Sequence, residues 1–458
     1  MKALAYIFLF ILCFVSCNET TVEQTTQDIL LSNVSVIDVS NGNVINHRNV
    51  IIDSGRIKSI TAKKLDRNNY NLKIDGTGKY LMPGLAEMHA HIPPSTTSRE
   101  RIEETLFLYL SNGITTIRGM LGDPMHLELR ELSEQGDLLS PRIYVSSPSL
   151  NGNSVKTNEE AIDKVTQYQK DGYDFLKIHP GIKRAVFDQV VETAVKVNIP
   201  FAGHVPVDVG IRHALESKYA SIDHVDGFLE GLVPASANVQ SDENGFFGYA
   251  FTLLADTTKI NELVTLAKEH KVWVVPTQSL FERWFAPVSA DDLLSQPEMK
   301  YMPTSTLESW RKTKESYMQD ESFNETQWQK FDTIRRQLIK RLQKDGHGIL
   351  LGSDAPQLFN VPGFSIQHEI KGMRNAGLTP FEIITSGTIN PAKYFNATDE
   401  FGQVKEGLSA DLIILDDNPL KDVSALQKVY GVIVKGQWLS KEMIDKKLKT
   451  IAKNAAKN

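Results

Sequence analysis

Between residues 83 and 354 short apolar runs alternate with amphipathic stretches, and this alternation limits the folds open to the chain more than any other feature. The first run opens at Pro83 and ends on His89-Ala90-His91. Seven more follow, at 114–117, 142–146, 175–178, 199–204, 221–224, 272–276 and 349–354. Among the stretches between them, 159–169, 184–197 and 209–216 carry a helical repeat. Strand followed by helix, repeated many times, predicts a parallel sheet with helices packed on it. Eight such runs favour an α/β fold closed into a (β/α)8 TIM-like barrel over a doubly wound open sheet. Two segments, about 228–270 and 281–346, are too long for simple connections. The second carries Trp284, Trp310 and Trp328 among many charges. Both are expected to be helical insertions over the mouth of the barrel.

The two ends of the chain have a different texture. Residues 29–31, 34–37 and 49–52 are β-rich and are punctuated by Ser40-Asn41-Gly42-Asn43 and Asp53-Ser54-Gly55. The same pattern returns at 410–415 and 429–434. One small discontinuous β-sandwich domain, built from 29–80 and 401–445, is expected beside a barrel spanning 81–400. At the extreme N-terminus, Met1-Lys2 precede an apolar run ending at Ser16-Cys17, too short to span a membrane comfortably. The expectation is a lipoprotein signal peptide at 1–16, a lipidated Cys17 and a polar tether through residue 28. That would make an exported, bacterial cell-envelope lipoprotein that meets the membrane only through its lipid anchor.

Composition narrows the chemistry. The only cysteines among the 458 residues are Cys13 and Cys17, so a globular part cut at Cys17 has neither disulfide nor thiolate ligand in its core. The formal charge of −6 is dispersed, with no basic run interleaved with aromatics, so nucleic acid is not an expected partner. A homo-oligomer remains open.

In a barrel, chemistry collects at the C-terminal ends of the strands. The first run ends in His89 and His91, which share one face of an extended strand with Glu87. The fourth carries Lys177 inside an apolar run, followed by His179. The fifth ends at His204, the sixth at His224 and the eighth at Asp354. Each residue alone has an ordinary structural use, but five strand ends that each offer a ligand predict a metal site. A buried ammonium is costly unless it is paired or neutralised. Carbamylation by carbon dioxide would turn Lys177 into an anionic oxygen ligand, and pairing with a carboxylate is the alternative.

With these motifs, and with Asn390-Pro391-Ala392 and Gly407-Leu408-Ser409-Ala410-Asp411-Leu412 near the C-terminus, the chain resembles the amidohydrolase superfamily. Within it, the chain is most similar to the imidazolonepropionase-related branch, which includes prolidase-like dipeptidases. The resemblance implies two divalent metal ions, zinc being the expected element. His89, His91 and Asp354 would hold one, and His204 and His224 the other, with carbamylated Lys177 between them. Some relatives without the lysine use a single metal. Asp354 would serve as general base and then as general acid to the leaving amine. A metal pair brings the pKa of bound water from 15.7 toward ~7. Glu87, one layer deeper on the same face, is open to two uses: orienting a ligand or structural hydrogen bonding. Arg118, His126, Tyr144 and His179 are candidates for binding a substrate carboxylate or orienting its carbonyl.

The expected activity is hydrolysis of an amide bond in a small peptide or an N-acyl amino acid. The alternatives are a cyclic amide or lactone as substrate, or a metal-stabilised surface binding protein without turnover.

Overall fold

The computed structural model describes residues 28–320 and 323–457. The expected signal peptide, Cys17 and the tether through residue 27 lie outside the described residues. Five strands open the chain: β1 (Ile29–Asp38), β2 (Asn43–Asp53), β3 (Arg56–Thr61), β4 (Leu72–Asp75) and β5 (Tyr80–Pro83). The β1–β2 hairpin turns where Asp38 accepts from the backbone of Ser40 and Gly42, the latter at φ 76°. Strand β1 is bulged near Val34. Its first half pairs in parallel with β4 and its second half with β5.

The barrel strands follow: β6 (Leu85–Ala90), β7 (Ile114–Gly119), β8 (Arg142–Val145), β9 (Leu176–Ile178), β10 (Phe201–Gly203), β11 (Ser221–Asp223) and β12 (Trp273–Val275). All pairs among them are parallel, in the orders β6-β7-β8 and β9-β10-β11-β12. Two irregular seams join these sheets. After β8, Ser147 N donates to Phe175 O (2.8 Å) and Asp174 N to Val145 O (2.9 Å). On the other side, the eighth run lies between β12 and β6. Leu350 N donates to Val274 O (2.9 Å), Met88 N to Leu351 O (2.8 Å) and Asp354 N to His89 O (3.0 Å). Hydrogen bonds therefore run around the whole ring, the arrangement of a TIM-like barrel.

The eighth run is not a regular strand because its backbone bends to fit. Asp354 sits at φ 63°, and a Cβ on Gly352 would lie 2.8 Å from His89 N and 2.5 Å from Val275 Cγ1. Only glycine allows the run to approach β6 this closely.

The amphipathic stretches fold as Asn158–Lys170, Arg184–Val197 and Ile211–Glu216. The first is capped by Thr157, whose side chain accepts from Glu160 N. The second buries Val186, Phe187, Val190 and Ala194 and ends at Asn198 in the left-handed region. Full burial of a valine or phenylalanine side chain contributes roughly 1.5–3 kcal/mol.

The first expected insertion is mostly short 3₁₀ turns, including Phe246–Leu254, before the helix Ile260–Glu269. The second holds the helices Thr304–Met318 and Glu325–Asp345, which bury Trp310 and Trp328.

The chain then returns to its beginning. Strands β13 (Leu412–Leu415), β14 (Val429–Val434) and β15 (Gln437–Ser440) complete the order β15-β14-β13-β5-β1-β2-β3. This sheet curls on itself, with Ile57 N of β3 donating to Leu408 O (2.9 Å) just before β13. Inside it lie Ile29, Leu31, Val50, Ile52, Leu412 and Ile414, a core separate from that of the barrel. The last helix, Lys441–Ala455, runs past residue 445 and meets the helix Arg99–Ser111 through Asn454 and Glu104 (2.7 Å). Among the described residues, no helix is long and apolar enough to cross a membrane.

Candidate active site

The strand ends bring His89, His91, Lys177, His204, His224 and Asp354 to the wall of one cavity of about 790 Å³. Asp354 is central. Its Oδ1 lies 2.7 Å from His91 Nε2 and 3.5 Å from His89 Nε2, and its Oδ2 lies 3.9 Å from His224 Nδ1. His89, His91 and Asp354 form a cluster with ligand atoms within 4.8 Å of one another. The other two imidazoles adjoin it, with ring centroids 4.5 Å apart for His89–His224 and 4.6 Å for His204–His224.

The ring nitrogens are already sorted by their neighbours. His204 Nδ1 donates to Asp226 Oδ2 (3.1 Å), and His224 Nδ1 donates to Thr277 Oγ1 (2.9 Å) in the tautomer that leaves Nε2 free. His89 and His91 already turn Nε2 toward Asp354. The Nε2 atoms of His204 and His224 are thus left free, each on a ring held through Nδ1, as metal-binding imidazoles require. His89 Nδ1 and Asp223 Oδ2 are 3.0 Å apart but are not aligned for a hydrogen bond. Strain is concentrated at the same rim, where His224, Val225, Thr277 and Asp354 all have positive φ.

Lys177 is fully buried, and its Nζ has no hydrogen-bond partner among the described residues. Burial pulls its ammonium down to about 8 against the pull of Asp223 and Asp354. Gly203 makes room for it, since a Cβ there would stand 3.2 Å from Lys177 Cδ and 2.3 Å from Ile178 O. Burial opposes charge on Asp354, but His89, His91 and Lys177 outweigh it and hold the carboxyl well below the usual range. Burial also keeps His89 and His224 neutral. Neutral imidazoles, a carboxylate and an unpartnered buried amine fit a divalent-metal site.

Of the residues expected to touch substrate, only His179 lines the cavity. Its ring stacks on His204 at 5.1 Å between centroids, its Nδ1 contacts Ser149 Oγ (2.6 Å), and burial holds it down to about 2. The other three are corrected. Arg118 is buried inside the barrel, donating to Met88 O (2.7 Å), Ser221 Oγ (2.8 Å), Tyr394 OH (2.8 Å) and Asp223 Oδ1 (2.9 Å). It neutralises Asp223 and ties β6, β7 and β11 together. His126 closes the capping box of the helix Pro124–Gln135, accepting from Asp123 N and donating to Pro93 O (3.0 Å). Tyr144 stacks on Phe395 at 3.5 Å, beside Ala392, Ala397 and Phe401.

Glu87 touches no ring nitrogen. It accepts from His89 N (3.1 Å), Ser353 N (2.7 Å) and Ser353 Oγ (2.6 Å), so it fixes the backbone of two ligand-bearing segments instead. Sequence reasoning missed Asp226, Thr277 and Arg335. Arg335, on the helix Glu325–Asp345, donates to His224 O (2.7 Å) and Pro276 O (2.8 Å) and lies 3.5 Å over the Phe281 ring. Asp226 stands two residues after His224, a weak signal that could have been read. Nothing local to Thr277 or Arg335 gives them away.

Fold and site together define a barrel protein with a candidate metal centre on its C-terminal rim. Comparison with known proteins extends this. The sequence profile of the Amidohydrolase family matches residues 80–439, so the chain belongs to that family. Ochratoxinase from Aspergillus niger is 32% identical over 110 residues, 23% of this chain and 22% of that protein. The chain therefore matches about a fifth of the length of that curated relative. Among solved structures, bottromycin amidohydrolase superposes with a TM-score of 0.73 at 20% identity, covering 94% of this chain and 91% of the other. A Xaa-Pro dipeptidase with bound methionine superposes at 0.63 and 20% identity, covering 90% and 100%.

Proposed function

We propose that this protein is a metal-dependent amidohydrolase that cleaves the C–N amide bond of a small peptide or an N-acyl amino acid. The observation that carries the reading is the convergence of four imidazoles, an ionised Asp354 and an unpartnered buried Lys177 on one cavity. The names of similar proteins, an ochratoxinase, an amidohydrolase and a dipeptidase, support it. His89, His91 and Asp354 would hold one divalent ion, and His204 and His224 a second, with zinc the expected element. Lys177, carbamylated by carbon dioxide with release of one proton, would lie between them as an anionic oxygen donor. When bound, such ions acidify water and polarise a carbonyl.

The chain's own residues do the rest. Asp354, kept ionised by its neighbours, takes the proton of the attacking water and passes it to the departing nitrogen, because an amine leaves only when protonated. Asp226 and Thr277 hold the rings of His204 and His224 in register. His179 lines the cavity, and with its Nδ1 taken by Ser149 its Nε2 is the nitrogen left to donate to the substrate carbonyl.

Replacing Asp354 with Asn, assayed on the metal-loaded protein against a dipeptide and N-acyl amino acid library, tests the reading. Activity should fall by about 10²–10⁴-fold, the usual worth of a positioned acid–base group, while the other ligands retain metal. Unchanged turnover would refute the assignment. The apolar leader ahead of Cys17 supports an exported, lipid-anchored enzyme; failure of Cys17→Ser to abolish fatty-acid labelling would reject this location.

A further inference from the structure

The outer wall of the cavity is aromatic, and it begins directly beside the candidate metal ligands. Phe247 lines the cavity and is only half-buried, with its ring centroid 5.4 Å from that of His224 and 5.8 Å from that of His204. Phe281 backs it edge-on at 4.9 Å. Farther out stand Phe246 and Trp284, their rings 5.4 Å apart, with Phe246 53% exposed. Leu121, after β7, and Val207, after β10, line the same cavity and are exposed as well. Exposed apolar side chains gathered around one opening from separate segments mark a ligand-binding groove.

Phe247 holds its place at φ 52° and ψ 37°, the left-handed region, which a bulky residue keeps only when its surroundings enforce it. Those surroundings are specific. Asn244 Nδ2 donates to Glu230 Oε1 (2.9 Å), and a Cβ on Gly248 would lie 2.8 Å from Glu230 Oε2 and 3.0 Å from Leu229 Cδ2. Gln327 Nε2 donates to Tyr249 O (2.8 Å). The turn at 244–249 is thus clamped between the helices Phe228–Gly231 and Glu325–Asp345, and the Phe247 ring is set in advance. A contact surface fixed before its ligand arrives avoids the entropy loss of ordering it on binding.

Charge in the lining narrows what this wall can hold. A substrate carboxylate is ordinarily gripped by a guanidinium or ammonium. Among the described residues, the lining includes no arginine, and its one lysine, Lys177, belongs to the candidate metal centre. Asp226 and Glu230 are engaged within the protein, accepting from His204 Nδ1 and Asn244 Nδ2. At about 790 Å³ the cavity lies toward the upper end of the roughly 300–1,000 Å³ usual for small-molecule sites, which leaves room for a large side chain beside the scissile bond. We propose that Phe247 is a specificity-determining residue that stacks on an uncharged aromatic side chain of the substrate, with Phe246 and Trp284 extending the wall. The site would thus select amides carrying such a ring next to the scissile bond over those of small or acidic residues. The inference rests on the amide-cleavage reading for its chemistry but on the aromatic wall alone for its selectivity.

The test uses calorimetry on the metal-loaded full chain with four probes: acetohydroxamate, 3-phenylpropanohydroxamate, 3-cyclohexylpropanohydroxamate and succinic monohydroxamate. The phenyl probe should bind about tenfold or more tightly than acetohydroxamate, the usual worth of burying a phenylalanine side chain. The succinic probe should show no such gain. Phe247→Leu keeps an apolar side chain and removes the ring. It should weaken the phenyl probe by roughly two- to tenfold, the worth of an aromatic pair beyond its buried area, and the cyclohexyl probe by less. Phe246→Ala, at an exposed position, should weaken the phenyl probe by about twofold or more, which keeps the wall testable if F247L does not fold. Equal binding of the phenyl probe and acetohydroxamate, a gain for the succinic probe, equal losses for the phenyl and cyclohexyl probes in F247L, or failure of all four to bind would each overturn the proposal. A parallel assay compares hydrolysis of Phe-Phe amide and Gly-Gly amide. If neither is cleaved while the phenyl preference holds, the amide reading fails and the Phe247 assignment stands. If both are cleaved equally and the probes bind equally, only the assignment to Phe247 falls.

Discussion

Asp226→Asn separates the charge behind His204 from the geometry that holds it. Asp226 Oδ2 receives two donors, His204 Nδ1–H and Val205 N–H, both at 3.1 Å. An asparagine oxygen can accept both, so the substitution keeps the shape and removes the negative charge. The Val205 bond is the same with or without a bound ion and cancels. The bond to His204 does not cancel, because an imidazole that gives electron density to a cation becomes a stronger donor. A bond to a charged group is worth about 1.5–3 kcal/mol and a neutral one about 0.5–1.5 kcal/mol. The difference, about 1–1.5 kcal/mol, is roughly five- to tenfold in affinity. That is at or just below the ten- to hundredfold range typical of groups that orient metal ligands.

The assay is competition between metal-free protein and a chromophoric chelator. The weaker of two binding steps should loosen by roughly five- to tenfold, while the step assigned to His89, His91 and Asp354 changes by less than about threefold. Metal affinity equal to the parent's at every step, or equal weakening of both, would refute the reasoning.

Two further outcomes follow from packing and burial. Gly352→Ala places a methyl 2.5 Å from Val275 Cγ1 and 2.8 Å from His89 N, contacts no real Cβ makes. Overpacking of this kind costs about 1–3 kcal/mol, so the melting temperature should fall and metal binding should weaken; a variant as stable as the parent would show that this seam yields freely. Glu369 is fully buried on the helix Ser365–Asn375, accepts from Ser279 N (2.7 Å), and is raised by burial from 4.5 to about 7. Its folded form holds the proton more tightly than the unfolded chain does, so its contribution is complete below about 4.5 and is lost as pH rises toward about 7. Glu369→Gln should flatten the decline in denaturant stability across that window, and parallel curves for parent and variant would contradict it.

How much of this was legible in the sequence follows from how far each signal travels. Strand–helix alternation is written within each element, so the parallel barrel and the strand ends carrying His89, His91, Lys177, His204, His224 and Asp354 can be read without coordinates. The joining of the two chain ends into one small β domain is legible too, because their β-rich texture contrasts with the middle, but that domain is a single curled sheet where a sandwich is expected. Side-chain partners are another matter. Arg118 looked like a substrate ligand because it follows a strand, but Ser221, Asp223 and Tyr394 are more than a hundred residues away and only the closed barrel brings them to its guanidinium. His126, in the loop beyond a strand, reads as open to substrate, but the helix start takes its Nδ1 and Pro93 O its Nε2. Thr277 and Arg335 became supports of His224 only when two distant segments packed around it. Periodicity therefore determined which residues stand at the rim, since that depends on each strand alone. Tertiary packing decided which of them face the cavity and which ring nitrogen each leaves free, since burial forces every polar group to find a partner wherever the chain happens to fold back.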